Sequence, residues 1–134
     1  AQGKLGHQDR ADALAQRAAD VAKATTSWEP RSPSAFSLLG TTLATWAELS
    51  TDPAQRRRNL EAAIEAWTAA AALDPFGLTF PLRIFKTELD LGRRDRARVW
   101  AERVLRADES QRLDPLKRLT SKEREEVEGI LKPP

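Results

Sequence analysis

The chain has 134 residues, enough for one domain with a real core, and roughly two-thirds of its unfolded surface can be buried at this length. Its 22 Lys and Arg stand against 20 Asp and Glu, a formal charge of +2 that gives no reason to expect a nucleic-acid partner. With no cysteine, disulfides, zinc-thiolate sites and thiol catalysis are excluded, and no apolar run approaches the ~18 residues needed to cross a bilayer.

In chain order, the first helix is expected from about Gln8 to Ser27, because Leu5-Gly6 reads as a turn. A loop follows through Glu29-Pro30-Arg31-Ser32-Pro33, then a helix to about Leu49. Ser50 to Asp52 followed by Pro53 is a helix-start signal, with Pro at the first helical position, and that helix runs to Leu73. A fourth helix is expected from Phe76 to Leu91, with a turn at Leu91-Gly92, and a fifth from Arg93 to Asp108. From Arg112 to Lys117 the chain reads as an ordered connector, and the last helix begins at Thr120, where Glu123 completes a capping box, ending before Pro133. The expected class is all-α.

Phe36, Leu39, Gly40 and Leu43, followed by Ala63, Trp67 and Ala70 and the Leu73-Asp74-Pro75 ending, resemble the tetratricopeptide signature. The offsets agree with it. Ala63 and Ala97 lie 34 residues apart, as do Ala70 and Val104, the period of this repeat. Gly40 and Ala63 are small where two antiparallel helices must approach closely, while Phe36, Leu39, Leu43 and Trp67 supply the apolar stripe. Leu5-Gly6-His7-Gln8-Asp9-Arg10-Ala11 echoes Leu91-Gly92-Arg93-Arg94-Asp95-Arg96-Ala97, so the first helix reads as the second member of a pair.

The resemblance implies an α-α superhelix with a C-terminal capping helix. It divides into a half repeat (1–33), a repeat with lengthened helices (34–75), a second repeat (76–108), and a connector with its cap (109–134). Such arrays bind ligands in the groove lined by the first helix of each pair. By helical phase that face carries Ser37, Thr41, Thr45 and Glu48 in one pair and Arg83, Lys86 and Asp90 in the next.

No catalytic constellation can be assembled. His7 is the only histidine, placed in the expected first turn, and no G-x-S-x-G, phosphate loop or HExxH occurs, so neither enzyme chemistry nor a metal or cofactor is expected. The arginines Arg56, Arg57 and Arg58, and again Arg93, Arg94 and Arg96, open two helices where the macrodipole disfavours cations. They read either as surface charge paired with neighbours such as Asp52, Glu61, Asp95 and Glu102, or as sites for a phosphate, a lipid headgroup or an acidic partner.

The stretch from Leu105 to Leu119, LRADESQRLDPLKRL, with the charged run after it, resembles the C-terminus of bacterial membrane proteins of the O-antigen ligase and polymerase type. That resemblance implies a soluble interaction tail of a glycan-handling membrane protein, on a side of the inner membrane that the sequence does not specify. The catalytic machinery would then lie in segments outside this chain, and the partner would be a protein or peptide. The chain begins at Ala1 and contains no Met, which fits a piece of something longer. Leu14, Ala15, Ala18 and Val21 are expected to leave an apolar strip on the first helix, to be covered by an upstream helix or by a second copy of the chain.

Overall fold

A computed structural model describes residues 2–111, 113, 114, 116 and 118–133, for residues 2–5 and 7 the backbone alone. Six helices follow one another: α1 (Gln2–Trp28), α2 (Pro33–Leu49), α3 (Pro53–Leu73), α4 (Thr79–Asp90), α5 (Arg94–Ser110) and α6 (Ser121–Leu131). Among the described residues there is no strand. The chain divides into two compact units, residues 1–73 and 74–134.

The expected starts and stops are realised with local differences. Ser32 accepts the Ala35 N–H at 3.2 Å and Asp52 accepts the Ala54 N–H at 3.1 Å, so both α2 and α3 open on a side-chain cap followed by proline. Pro33 thus belongs to α2 and not to the loop before it. The first helix is a correction: α1 is already helical at Gln2, so Leu5-Gly6 and the His7 backbone lie within it and form no turn. Nothing after Gly6 stops a helix, since Gln8 to Ala24 is rich in alanine and contains neither Gly nor Pro. In the other direction α4 begins at Thr79, three residues later than expected, because residues 74–77 close a turn through the Gly77 N–H and the Asp74 carbonyl (3.2 Å).

In the first unit α1 packs on α2 and α2 on α3. Alanines let the backbones approach: Ala19 and Ala22 of α1, Ala35 and Ala47 of α2, and Ala63, Ala66 and Ala70 of α3 are all buried. The largest of the buried side chains in this unit is Trp67, only 5% exposed. Its indole occupies the space beside Gly40, where a Cβ would collide with the ring. The antiparallel register of α1 and α2 is tied by Gln8, which donates to the Leu49 carbonyl at 3.0 Å, and by Trp46, whose Nε1 donates to Asp12 Oδ1 at 3.2 Å.

The second unit is built on the α4–α5 hairpin, with α6 laid on α5. Phe85, Ala97, Ala101, Val104, Val127 and Ile130 form its core, surrounded by partly buried leucines and Trp100. The hairpin turn is a complete Schellman motif: the Gly92 N–H reaches the Leu89 carbonyl (3.0 Å), the Arg93 N–H reaches the Glu88 carbonyl (2.9 Å), and Gly92 has φ +74°. Gly92→Ala is therefore expected to cost about 1 kcal/mol, read as a lowered midpoint in urea, although open space surrounds the position. The strain is in the backbone alone.

The cap on α6 forms as expected. Glu123 donates its N–H to Thr120 Oγ1 (3.2 Å) and accepts the Thr120 N–H on Oε1 (3.1 Å), while its other oxygen takes Lys86 Nζ at 3.1 Å. One carboxylate thus caps α6 and ties it to α4.

Candidate functional site

The side chains singled out on α2 share one face, and Thr41, Thr45 and Glu48 are exposed while Ser37 is half-buried. Thr45 turns its hydroxyl back onto the Thr41 carbonyl at 2.9 Å, so part of this face satisfies itself. Leu38 and Leu49 flank it and are about half exposed, which gives the stripe an apolar border. Arg83, Lys86 and Asp90 are exposed on α4 in the second unit.

Arg83 and Lys86 line a cleft of about 610 Å³ that runs from the residue 74–79 turn past α4 to the start of α6. Phe76 and Leu116 stand at its edges, 70% and 95% exposed, and Leu78 and Leu82 lie deeper. Asp74, Arg83, Lys86, Arg118 and Glu123 bring the charge. The turn wall is held in place by Gln111, whose Nε2 donates to the Phe76 carbonyl at 3.0 Å. Asp90 does not line this cleft.

Asp108, at the end of α5, is fully buried and organises the far side of the connector. Its Oδ1 accepts the Leu119 N–H (2.8 Å) and Arg118 Nε (3.3 Å), and its Oδ2 accepts Arg118 Nη2 (2.9 Å) and the Arg124 guanidinium. Burial pushes this carboxyl up, but the hydrogen bonds from Arg118 and Leu119 and the charges of Arg118 and Arg124 together hold it below the ordinary carboxylate range. Glu123 is also held low, first by the Thr120 N–H, against the opposing effect of burial, and then by Lys86. Asp108 was missed from the sequence because its role depends on three groups from residues 118–124 converging on one point. In the connector, Leu116 donates its N–H to Asp114 Oδ1 at 3.2 Å, while the expectation for Arg112, Pro115 and Lys117 falls outside the described residues.

The arginines divide into different environments. Arg57 pairs with Glu61 at 3.1 Å, Arg58 donates to the neutral Gln55 at 2.9 Å, and Arg56 is half-buried. Arg93 reaches the buried Glu88 at 3.4 Å. Together with Gly92, Arg94, Asp95 and Arg96 it lines a shallow depression of about 400 Å³ at the start of α5.

A second cleft, also about 400 Å³, lies in the first unit between α1 and α3, floored by Phe36, Leu39, Leu43 and Trp46. Phe36, Leu39 and Leu43 read from the sequence as interior stripe, yet α1 and α3 stand apart far enough to leave them half-buried. On α1, Leu14 and Val21 are 64% and 67% exposed and Ala18 is exposed, as expected of the apolar strip, but Ala15 is half-buried.

Among the described residues no group of three or more His, Cys, Asp or Glu side chains is arranged to hold a metal ion. No helix there is long and apolar enough to cross a membrane. Comparison with known protein families, curated proteins and solved structures finds no match for the chain.

Proposed function

We propose that the chain is a non-catalytic protein-interaction scaffold built of tetratricopeptide-type hairpins, with α2–α3 and α4–α5 as two repeats and α6 as the cap. The 34-residue offsets support this, as does the close approach of Trp67 to Gly40 at the positions where the repeat needs bulk opposite a small residue. The charged face of α6 fits a terminal cap. The connector sequence supports placing the scaffold as the tail of an O-antigen ligase or polymerase-type membrane protein.

The observation that carries the reading is the cleft beside α4. It is open, mixes exposed Phe76 and Leu116 with basic Arg83 and Lys86, and is framed by fixed elements on both sides, the combination that recognises an extended peptide with an apolar side chain next to an acidic one. A photo-crosslinking residue at position 83, in bacteria carrying the parent protein, should capture a defined envelope protein that the same residue at position 65 does not. Joint replacement of Arg83 and Lys86 by alanine should weaken that partner's binding about tenfold or more by fluorescence anisotropy, with the helical circular dichroism unchanged. Loss of binding only on changing outward residues of α3 and α5 would refute the groove.

A second reading rests on the depression at the start of α5, where Arg94 and Arg96 accompany the first backbone N–H groups of the helix. Together with Arg56, Arg57 and Arg58 it would make the chain a regulatory module for an anionic small molecule or lipid headgroup. Salt separates the two readings, since phosphate contacts weaken steeply with ionic strength and a peptide held by apolar side chains weakens less.

A further inference from the structure

A row of basic side chains runs along α5. Arg96, Val99, Arg103 and Arg106 succeed one another at three-, four- and three-residue steps, which places them on one face of the helix over about 15 Å. All four are exposed, Val99 at 55%. The half-buried Trp100 lies at the border of this face, with the Arg103 guanidinium 4.6 Å from its ring centroid.

Among the described residues none of Arg96, Arg103 and Arg106 has an ion pair. The helix had the means to provide one. Glu102 stands four residues before Arg106, the favourable order for a pair within a helix, yet no pair forms. Arg96 also sits in the first turn of α5, where the macrodipole opposes a cation. Three guanidinium groups are thus displayed at fixed spacing on a rigid element, uncompensated by their own helix.

We propose that this face of α5 docks an acidic helix of a partner protein, its carboxylates at matching three- and seven-residue spacing engaging Arg96, Arg103 and Arg106. The guanidinium fork binds a carboxylate through two parallel hydrogen bonds, and the helical display of one side matches the helical display of the other. Arg and Trp are the residues enriched where protein interfaces concentrate their affinity, and the Trp100–Arg103 stack holds one fork in position. A bilayer is disfavoured as the occupant because Val99 is the only exposed apolar side chain between the arginines, too little to seat a helix among acyl chains. The surface is separate from the cleft beside α4 and stands whether or not that cleft binds a peptide.

The test uses the whole chain and an alanine-rich helical peptide carrying glutamates at the matching spacing, with the same peptide in scrambled order as comparison. The matched peptide should bind more tightly than the scrambled one, and the Arg96→Gln, Arg103→Gln, Arg106→Gln triple variant should lose about tenfold or more of that affinity. A control triple variant with the same charge change, Arg98→Gln, Lys122→Gln and Lys132→Gln, should stay within about twofold, because these exposed residues lie off the stripe. Circular dichroism of each variant establishes that the fold is kept. Equal binding of both peptides, or equal loss in both triple variants, overturns the proposal in favour of unspecific charge attraction. Binding to phosphatidylserine vesicles without binding to the matched peptide overturns it in favour of a membrane surface.

Discussion

Trp67→Ala should cost about 3–5 kcal/mol of unfolding free energy, the range for truncating a large buried aromatic side chain. Trp67 is the bulkiest of the buried side chains in a unit whose buried residues are mostly alanines, and such small neighbours cannot grow into the space it leaves. The partner position gives a sharper result. Gly40→Leu should destabilise as well, because even a Cβ there would run into the indole. The two changes together should cost less than the sum of each alone, since the leucine enters the volume the tryptophan vacates. Urea denaturation of the three variants measures this, and strict additivity, or a loss under about 1 kcal/mol for Trp67→Ala, would show that the indole does not fill the α2–α3 interface.

The second large effect is at Asp108. Asp108→Ala removes the acceptor shared by Arg118, Arg124 and the Leu119 N–H, and should lower stability by about 2–3 kcal/mol, the scale of hydrogen bonds to a charged group. The loss should stay below that of breaking a fully buried ion pair. Arg118 and Arg124 are 30% and 40% exposed and recover water when the carboxylate goes. The pH dependence has a definite sign. Because the folded pKa of Asp108 is depressed, its contribution is present above the ordinary carboxylate pKa near 4 and is lost as pH falls through the folded value. Glu123 acts in the same direction. Stability should therefore fall on acidification from about pH 5 to pH 2, and Asp108→Asn should flatten part of that fall while lowering the plateau at neutral pH. An unchanged acid limb in Asp108→Asn would place the titrating group elsewhere.

The positions of the helices were largely legible in the sequence because their signals are local. Asp52-Pro53, Gly92 and the Thr120–Glu123 box each act within one turn of the backbone, and each terminates or starts the helix that its chemistry predicts. Other local signals misled: Pro33 was read as loop but opens α2, α4 starts at Thr79 and not at Phe76, and Leu5-Gly6 was read as a turn but lies inside α1. A glycine costs a helix only about 1 kcal/mol, which the alanine-rich run after it offsets, whereas Gly92 is required by the closing hydrogen bonds of a hairpin. Gly40 was read as a small residue at a close helix approach and Trp67 as part of the apolar stripe, but that the two meet came from the packing of α2 on α3.

What only the tertiary structure decided are the arrangements that depend on distance between elements. Helical phase placed Arg83 and Lys86 on an outer face, but the cleft they line exists because the residue 74–79 turn and the start of α6 stand on either side. Phase likewise counted Phe36, Leu39 and Leu43 as interior, and the separation of α1 from α3 left them half-covered. Asp108 looked like one acidic residue among many at a helix end. Periodicity says which way a side chain points; whether a guanidinium, a backbone N–H or open water waits there is settled by how the chain returns, and that information is spread over residues far apart in sequence.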